Sequence, residues 1–358
     1  MPEHNAFTKK NAGASGYRKV FNVRYIILVA ALILPFVFLF YPRTADPANI
    51  FTYHYMLMDT TVEIRFQAVD SRSAEEIKDK VIGEMERLEN LFSRTIKDSE
   101  ISSINNSAGL RPVQVSTEVL HVVEKSLSYA QLSGGAFDPT VAPLVDLWGF
   151  LGQEFRVPTA HEIETALTLV DYQLVEVDAT AETVYLPLAG MSLELGGIAK
   201  GYIIDRALAV LVQAGVQDAF LNAGGDIGLL GSRPDGSPWR IGVRHPRDNR
   251  EIVAVVPVRD KAVTTSGDYQ RFFEENNIRY HHLLDPFTGL PARSLASVTI
   301  IAPTALESDA LSTAVFILGP EEGMALIERL PNVEAILVTP DLEILISSGL
   351  EGVAQLHQ

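Results

Sequence analysis

The 358-residue chain contains no cysteine. That absence removes thiolate catalysis, iron–sulfur clusters, cysteine-ligated zinc and disulfide staples together. It also removes the lipid-modified N-terminal cysteine of a bacterial lipoprotein. Basic residues are scarce as well: 29 Lys and Arg stand against 45 Asp and Glu, a formal net charge of −16. Five of those cations, Lys9, Lys10, Arg18, Lys19 and Arg24, lie in the first 24 residues with Glu3 as the sole acid there. The tail is therefore +4 and the remainder −20. A body that acidic lacks the clustered cations that phosphate backbones reward, which argues against nucleic acid as a partner. With 47% hydrophobic and 21% charged residues, the composition is that of a globular protein, neither disordered nor collagen-like.

Long runs without any charge are scarce too, and one stands out near the N-terminus. Residues 25–41 carry no charge across seventeen positions and would span about 25 Å as a helix, the short end of a bilayer core. Tyr25 and Tyr41 flank it like an aromatic belt, and the basic tail precedes it. The pattern predicts a cytoplasmic tail at 1–24, a retained transmembrane signal anchor at 25–41 and a linker at 42–54. An extracytoplasmic body at 55–350 and a short C-terminal tail at 351–358 complete the expected organisation.

Within the body, residues 60–66 alternate as a strand. Residues 72–94 carry an amphipathic stripe of Ile77, Val81, Met85, Leu88 and Phe92. Helices are expected at 116–133, 160–170, 197–214, 307–318 and 321–330. Strands are expected at 173–178, 183–186, 219–222, 239–243, 252–257, 281–284, 297–301, 334–339 and 343–347. Strands and helices without a regular βαβ rhythm predict an α+β fold of one or two lobes.

Four glycine-rich or polar stretches stand out. In Ser133 to Thr140, Gly134 and Gly135 allow close backbone approach to a ligand, or a simple turn. From Glu194 to Gly201, glycines enter a helix and Lys200 adds a positive charge, although the spacing matches neither a Walker loop nor a dinucleotide fingerprint. Leu221 to Asp226 reads as a strand running into a glycine turn, with Asp226 either capping the bend or facing a ligand. Asp309 and Thr313 share a helical face and could offer hard oxygens to Mg²⁺ or Ca²⁺; the competing reading is a helix-dipole Asp beside a back-bonding Thr. His281 and His282 are adjacent in an expected strand, so only one of them can face such a site.

In this order the segments resemble the ApbE family of FAD:protein FMN transferases. The matching stretches are MDTTVEIRF (58–66), FSRTIKDSEISSIN (92–105), GGAFDPTVAPLVDLWGF (134–150) and LELGGIAKGYIID (193–205). They continue with LNAGGDIGLLG (221–231), AVTTSGDYQRFF (262–273), YHHLLDPFTGLPA (280–292) and SVTIIAPTALESDALSTAVFILG (297–319). The resemblance implies an FAD site lined by Met58, Thr95, Ala136, Phe137, Asp138, Glu194, Lys200, His282 and Leu284. It implies Mg²⁺ on Asp309, Thr313 and the carbonyl of Gly197. The implied reaction moves FMN from FAD to a Thr or Ser hydroxyl of an acceptor flavoprotein and releases AMP. His282 is the first candidate for the base that this hydroxyl needs, and Asp285 the second.

Two positions depart from the family pattern. Thr95 stands where many relatives carry an aromatic residue, and Glu194 stands where Asp is commoner. Two rival readings are an FAD pyrophosphatase, with water as acceptor, and a non-catalytic, membrane-anchored flavin-binding protein. The expected location is the inner membrane with the catalytic body on the periplasmic side, where flavin domains of membrane electron-transport complexes would be the acceptors. No acceptor-like stretch is found in the chain itself.

Overall fold

The computed structural model of the protein describes residues 49–152 and 154–357. The expected tail, membrane anchor and first part of the linker lie outside these residues. Residues 49–54, expected as linker, are instead the start of a strand, β1 (Asn49–Leu57), which pairs along its whole length with β2 (Thr60–Ala68). The turn between them holds Met58 and Asp59 at φ 54°, both left-handed. The amphipathic stripe then folds as α1 (Ser71–Phe92), capped by Asp70, and buries Val81, Met85, Leu88 and Phe92. Next come α2 (Glu100–Asn106), β3 (Val113–Gln114), α3 (Thr117–Leu132), α4 (Ala142–Trp148) and α5 (Ala160–Leu167). A capping box of Thr159 and Glu162 opens α5.

Two short strands, β4 (Glu176–Asp178) and β5 (Thr183–Tyr185), lead to α6 (Ala199–Gln213). Then follow β6 (Ala219–Ala223), β7 (Asp226–Leu230), β8 (Trp239–Arg244), β9 (Ile252–Val258) and β10 (Ala262–Gly267). A hairpin of β11 (Phe272–Glu275) and β12 (Ile278–His281) precedes β13 (Ser297–Ala302), α7 (Ala305–Ile327), β14 (Glu334–Val338), β15 (Ile344–Ile346) and β16 (Gln355–Leu356).

Eight strands form one sheet in the order β1-β2-β6-β7-β10-β13-β14-β15, and every strand pair among the described residues is antiparallel. The central strand β13 is buried at all six positions because both its faces are covered. Val298, Ile300 and Ala302 pack on one face with Leu311, Val315 and Phe316 of α7. Ile301 packs on the other with Val263 and the β16-β9-β8 sheet.

The two helices expected at 307–318 and 321–330 are one run broken at Gly319 (φ 83°) before Pro320. That run is long and apolar enough to cross a bilayer, yet over half of it is buried against the sheet as the core helix of the body. The strand expected at 281–284 sits earlier, because Asn276 and Asn277 (φ 52° and 63°) turn the chain into the β11–β12 hairpin. The C-terminal residues expected as a tail include β16, paired with β9.

Candidate active site

Helix α6 begins without a side-chain cap, and its first turn is docked onto α7. Gly201 makes the docking possible, since a Cβ there would overlap the carbonyl oxygen of Ala305. One turn on, Asp205 accepts hydrogen bonds from the amides of Ala305 (2.7 Å) and Leu306 (2.9 Å), closing the start of α7. Burial raises the Asp205 carboxyl to about 6. The Gly201 amide donates to Asp309 Oδ2 at 3.0 Å, so this helix-start amide serves a carboxylate of the protein rather than an external anion.

Asp309 lies beyond the first turn of α7, whose cap is Thr304, and points across to α6; a plain helix-dipole role does not describe it. It is 4% exposed. Burial, then the neighbouring Asp226, holds its carboxyl well above the usual carboxylate range. Thr313 follows on the same face, and a Cβ placed on Gly197 would lie 3.1 Å from Thr313 Oγ1. The Gly197 backbone thus passes directly beside that hydroxyl. No described residue donates a second hydrogen bond to Asp309 Oδ1. One carboxylate oxygen, one hydroxyl and one adjacent backbone segment form a hard-oxygen set that fits a divalent cation sharing its remaining positions with phosphate and water. Among the described residues no group of three or more His, Cys, Asp or Glu side chains forms a self-sufficient cation cage.

Lys200 ion-pairs with Asp226, whose side chain is 4% exposed. Although burial disfavours its charge, Asp226 and Asp309 hold the Lys200 ammonium above its ordinary value. Asp226 does not serve the glycine turn. Gly224 and Gly225 (φ 66° and 108°) make the two-residue β6–β7 turn, and Asn222 accepts from the Gly225 amide at 2.8 Å. Asp226 and Lys200 therefore sit at one end of the sheet. The Met58 hairpin reaches the same end: Gly224 lies against Thr60, and the Met58 amide donates to Glu89 at 3.0 Å.

In the Ser133–Thr140 loop the glycine amides follow the second of the two readings, a turn. Those of Gly134 and Gly135 donate to the carbonyls of Gln131 and Ala130 and close the C-terminus of α3. Ala136, Phe137 and Asp138 are all buried. Asp138 Oδ1 accepts from the amide and hydroxyl of Thr140 (2.7 and 2.6 Å), and Oδ2 from the Tyr172 amide (3.1 Å). The loop is tied to the next segment by the Glu194 amide donating to Pro139 (2.7 Å), and the Phe137 ring lies against Gly197.

Glu194 is clamped on both oxygens, by the Gly196 amide (2.8 Å) and by Arg94 Nε (2.7 Å). The Arg94 guanidinium also grips Asp146, and its side chain is 9% exposed. Sequence reading missed Arg94, Asp226 as a partner of Lys200, and Arg271. All three lay within matching stretches, 92–105, 221–231 and 262–273, with nothing local to show their partners. Thr95 is exposed and bonded only to Ser93 (2.8 Å).

The two histidines diverge. His281 is buried, with Nε2–H donating to the Ala292 carbonyl at 2.7 Å, and burial pushes it down to about 4. His282 is half-buried, and its Nδ1–H donates to the Arg271 carbonyl at 3.2 Å, which leaves Nε2 as a free acceptor. Burial, followed by the Arg271 guanidinium, pushes His282 down to about 3. Asp285 spends both oxygens on its own turn, on the Phe287 amide (2.8 Å) and the Thr288 hydroxyl (2.9 Å). Leu284 is buried in the apolar cluster with Trp148 and Ile163.

A buried carboxylate and a paired lysine at one end of the sheet, with a neutral imidazole near enough to feel the lysine charge, suit chemistry on an anionic phosphate ester. Comparison with known proteins agrees. The ApbE family profile matches residues 58–337. A FAD:protein FMN transferase of Treponema pallidum is 36% identical over 304 residues, 80% of this chain and 84% of that protein. One from Klebsiella pneumoniae is 35% identical over 84% of this chain and 92% of its own length. Among solved structures, the ApbE protein of Thermotoga maritima superposes with a TM-score of 0.80 at 34% identity, covering 85% of this chain and 99% of that one. The flavin transferase ApbE from Vibrio cholerae gives 0.76 at 31% identity, over 86% and 100%. A shared fold, over nearly the full length of relatives at this identity, leaves one conclusion: the chain belongs to the ApbE family.

Proposed function

We propose that this protein is an FAD:protein FMN transferase that moves FMN to a Ser or Thr hydroxyl of an acceptor flavoprotein. The observation that carries the reading is the convergence of Lys200, Asp309, Thr313 and Gly197 where α6 meets α7. The acceptor oxygen attacks the phosphorus on the FMN side of the FAD diphosphate. The bond from that phosphorus to the bridging oxygen breaks, AMP leaves with the bridging oxygen, and the hydroxyl proton passes to His282 Nε2. Asp309, Thr313 and the Gly197 carbonyl would hold Mg²⁺, which when bound polarises the diphosphate and neutralises charge developing on the AMP phosphate. Lys200 supplies a fixed positive charge to the diphosphate, while Met58, Thr95, Ala136, Phe137, Asp138, Glu194 and Leu284 line or support the nucleotide site. Asp285 acts by holding the turn after His282.

The body is held at the periplasmic face of the inner membrane by residues 25–41, and the acceptor is a flavin-bearing domain of a membrane electron-transport complex. Intact-protein mass spectrometry tests the reaction. The full chain is incubated with such a domain, FAD and Mg²⁺, beside Asp309→Ala. A gain of one FMN on the acceptor, abolished by removing Mg²⁺ and reduced at least 100-fold in the variant, is expected. Release of FMN and AMP with every acceptor unmodified would replace the transferase by the pyrophosphatase reading, which the exposed, non-aromatic Thr95 favours. No FAD turnover at all would leave a binding protein.

A further inference from the structure

Two pairs of hydroxyls are buried between β10 and α7. Thr264 Oγ1 lies 2.8 Å from Ser308 Oγ, and Ser266 Oγ lies 2.8 Å from Ser312 Oγ. All four residues are buried, the two serines of α7 at 0% exposure. The Ser308 hydroxyl donates to the Ala305 carbonyl (3.1 Å) and that of Ser312 to the Asp309 carbonyl (2.9 Å), so in each pair the strand hydroxyl is the donor. Every one of these protons is placed. The spacing is also matched: two residues along a strand advance about 6.8 Å, and four along a helix about 6.0 Å. Both bridges can therefore close at once only in one register of helix on strand.

The helix serines are the residues immediately before Asp309 and Thr313. Around them α7 packs with Ala310, Leu311, Ala314 and Val315, so Ala and Val would fill the same space without any need for a buried hydrogen bond. Apolar side chains resist separation but are indifferent to small rotations. A hydroxyl pair at 2.8 Å is not, because hydrogen bonds weaken steeply with distance and angle. A rotation of one residue, about 100°, would carry Asp309 and Thr313 away from Gly201 and Gly197.

We infer that Thr264, Ser266, Ser308 and Ser312 are positioning residues that set the rotation and axial register of α7, so that Asp309 and Thr313 converge with Gly197 on a divalent cation. The inference rests on the cation reading above and adds the buried residues that make the cation site. It uses no group that touches substrate.

The test removes both partners of a bridge, as Thr264→Val with Ser308→Ala and as Ser266→Ala with Ser312→Ala, in the full chain. Taking both leaves no stranded hydroxyl, so stability is expected to change little. Mn²⁺ binding is followed by electron paramagnetic resonance with saturating ADP, a diphosphate that carries no FMN. Thermal unfolding and metal-free FAD binding are measured in parallel. Each double variant is expected to weaken Mn²⁺ binding about tenfold or more, as supporting-shell losses do elsewhere. Metal-free FAD affinity should stay within about twofold on the same argument, and Thr264→Ser, which keeps the hydroxyl, should bind Mn²⁺ like the parent.

Parental Mn²⁺ affinity in both double variants overturns the inference, as does an equal loss of FAD and Mn²⁺ binding, which marks general damage. If a double variant does not unfold cooperatively, the contrast between Thr264→Ser and Thr264→Val decides in the same way. Asp309→Ala separates the two levels. If it binds Mn²⁺ like the parent, or the parent binds none, the cation reading falls and takes the inference with it. If it alone loses binding, only the inference falls.

Discussion

His282 is neutral far below physiological pH, which makes Nε2 available as an acceptor but a weak one. In the proposed reaction a negatively charged diphosphate would arrive beside it, which favours the protonated form and raises its basicity. The acid limb assigned to His282 should therefore lie near pH 4 or below in kcat/KM, which reports the free enzyme, and at least one unit higher in kcat. A pH–rate series with FAD varied checks this, and His282→Ala should lower kcat by about 100-fold or more. Near-normal transfer by that variant at saturating FAD would exclude the role.

Arg94 makes a different kind of contribution. It spans Glu194 and Asp146, and removing it leaves Glu194 with a backbone amide as its only partner. Arg94→Ala is expected to destabilise by about 2 kcal/mol, the range for a lost charged hydrogen bond. It should also raise the KM for FAD more than it lowers kcat. Urea denaturation and initial-rate kinetics measure the two effects.

At the scale of elements, the contact of α6 with α7 decides the site. Gly201 has no room for a side chain, Asp205 closes the α7 amides, and the Gly201 amide steadies Asp309. Gly201→Ala should push the helices apart, lowering stability by about 1–3 kcal/mol, the usual cost of overpacking, and weakening cation binding with it. Denaturant unfolding and a metal titration on one preparation would show both, and a parental result in each would refute the close approach. Among elements, the amphipathic α1 and the start of α5 at residue 160 were legible because periodicity and helix starts are local signals. Strand β10 was not, since Ala-Val-Thr-Thr-Ser-Gly buries hydroxyls on partners from another helix, a pattern that alternation does not reveal. The Ser133–Thr140 loop was legible as special, although its glycines turned out to cap a helix.

For the molecule as a whole, His281 links folding to pH. Burial lowers it from 6.5 to about 4, so the neutral form is favoured in the fold. Its contribution is fully present above pH 6.5 and is lost as pH falls toward 4, at most about 3 kcal/mol. His281→Gln, which can still donate to the Ala292 carbonyl, should narrow the difference in stability between pH 7 and pH 4 by an amount of that order. Unfolding midpoints at the two pH values measure it. The anchor is testable at the same scale. The full chain should sediment with membranes and a chain starting at Ala48 should not, as fractionation would reveal.

The sequence by itself determined the composition class, the helices with regular apolar stripes and, through eight motifs in order, the family. Each of these is written in neighbouring residues or in their linear order. Only the tertiary structure decided that Asp226 pairs with Lys200, that Arg94 clamps Glu194 and that the hydroxyls of β10 meet those of α7. Those pairings join residues 26, 100 and 44–46 positions apart. They depend on which strand lies beside which helix, and local periodicity carries no information about that.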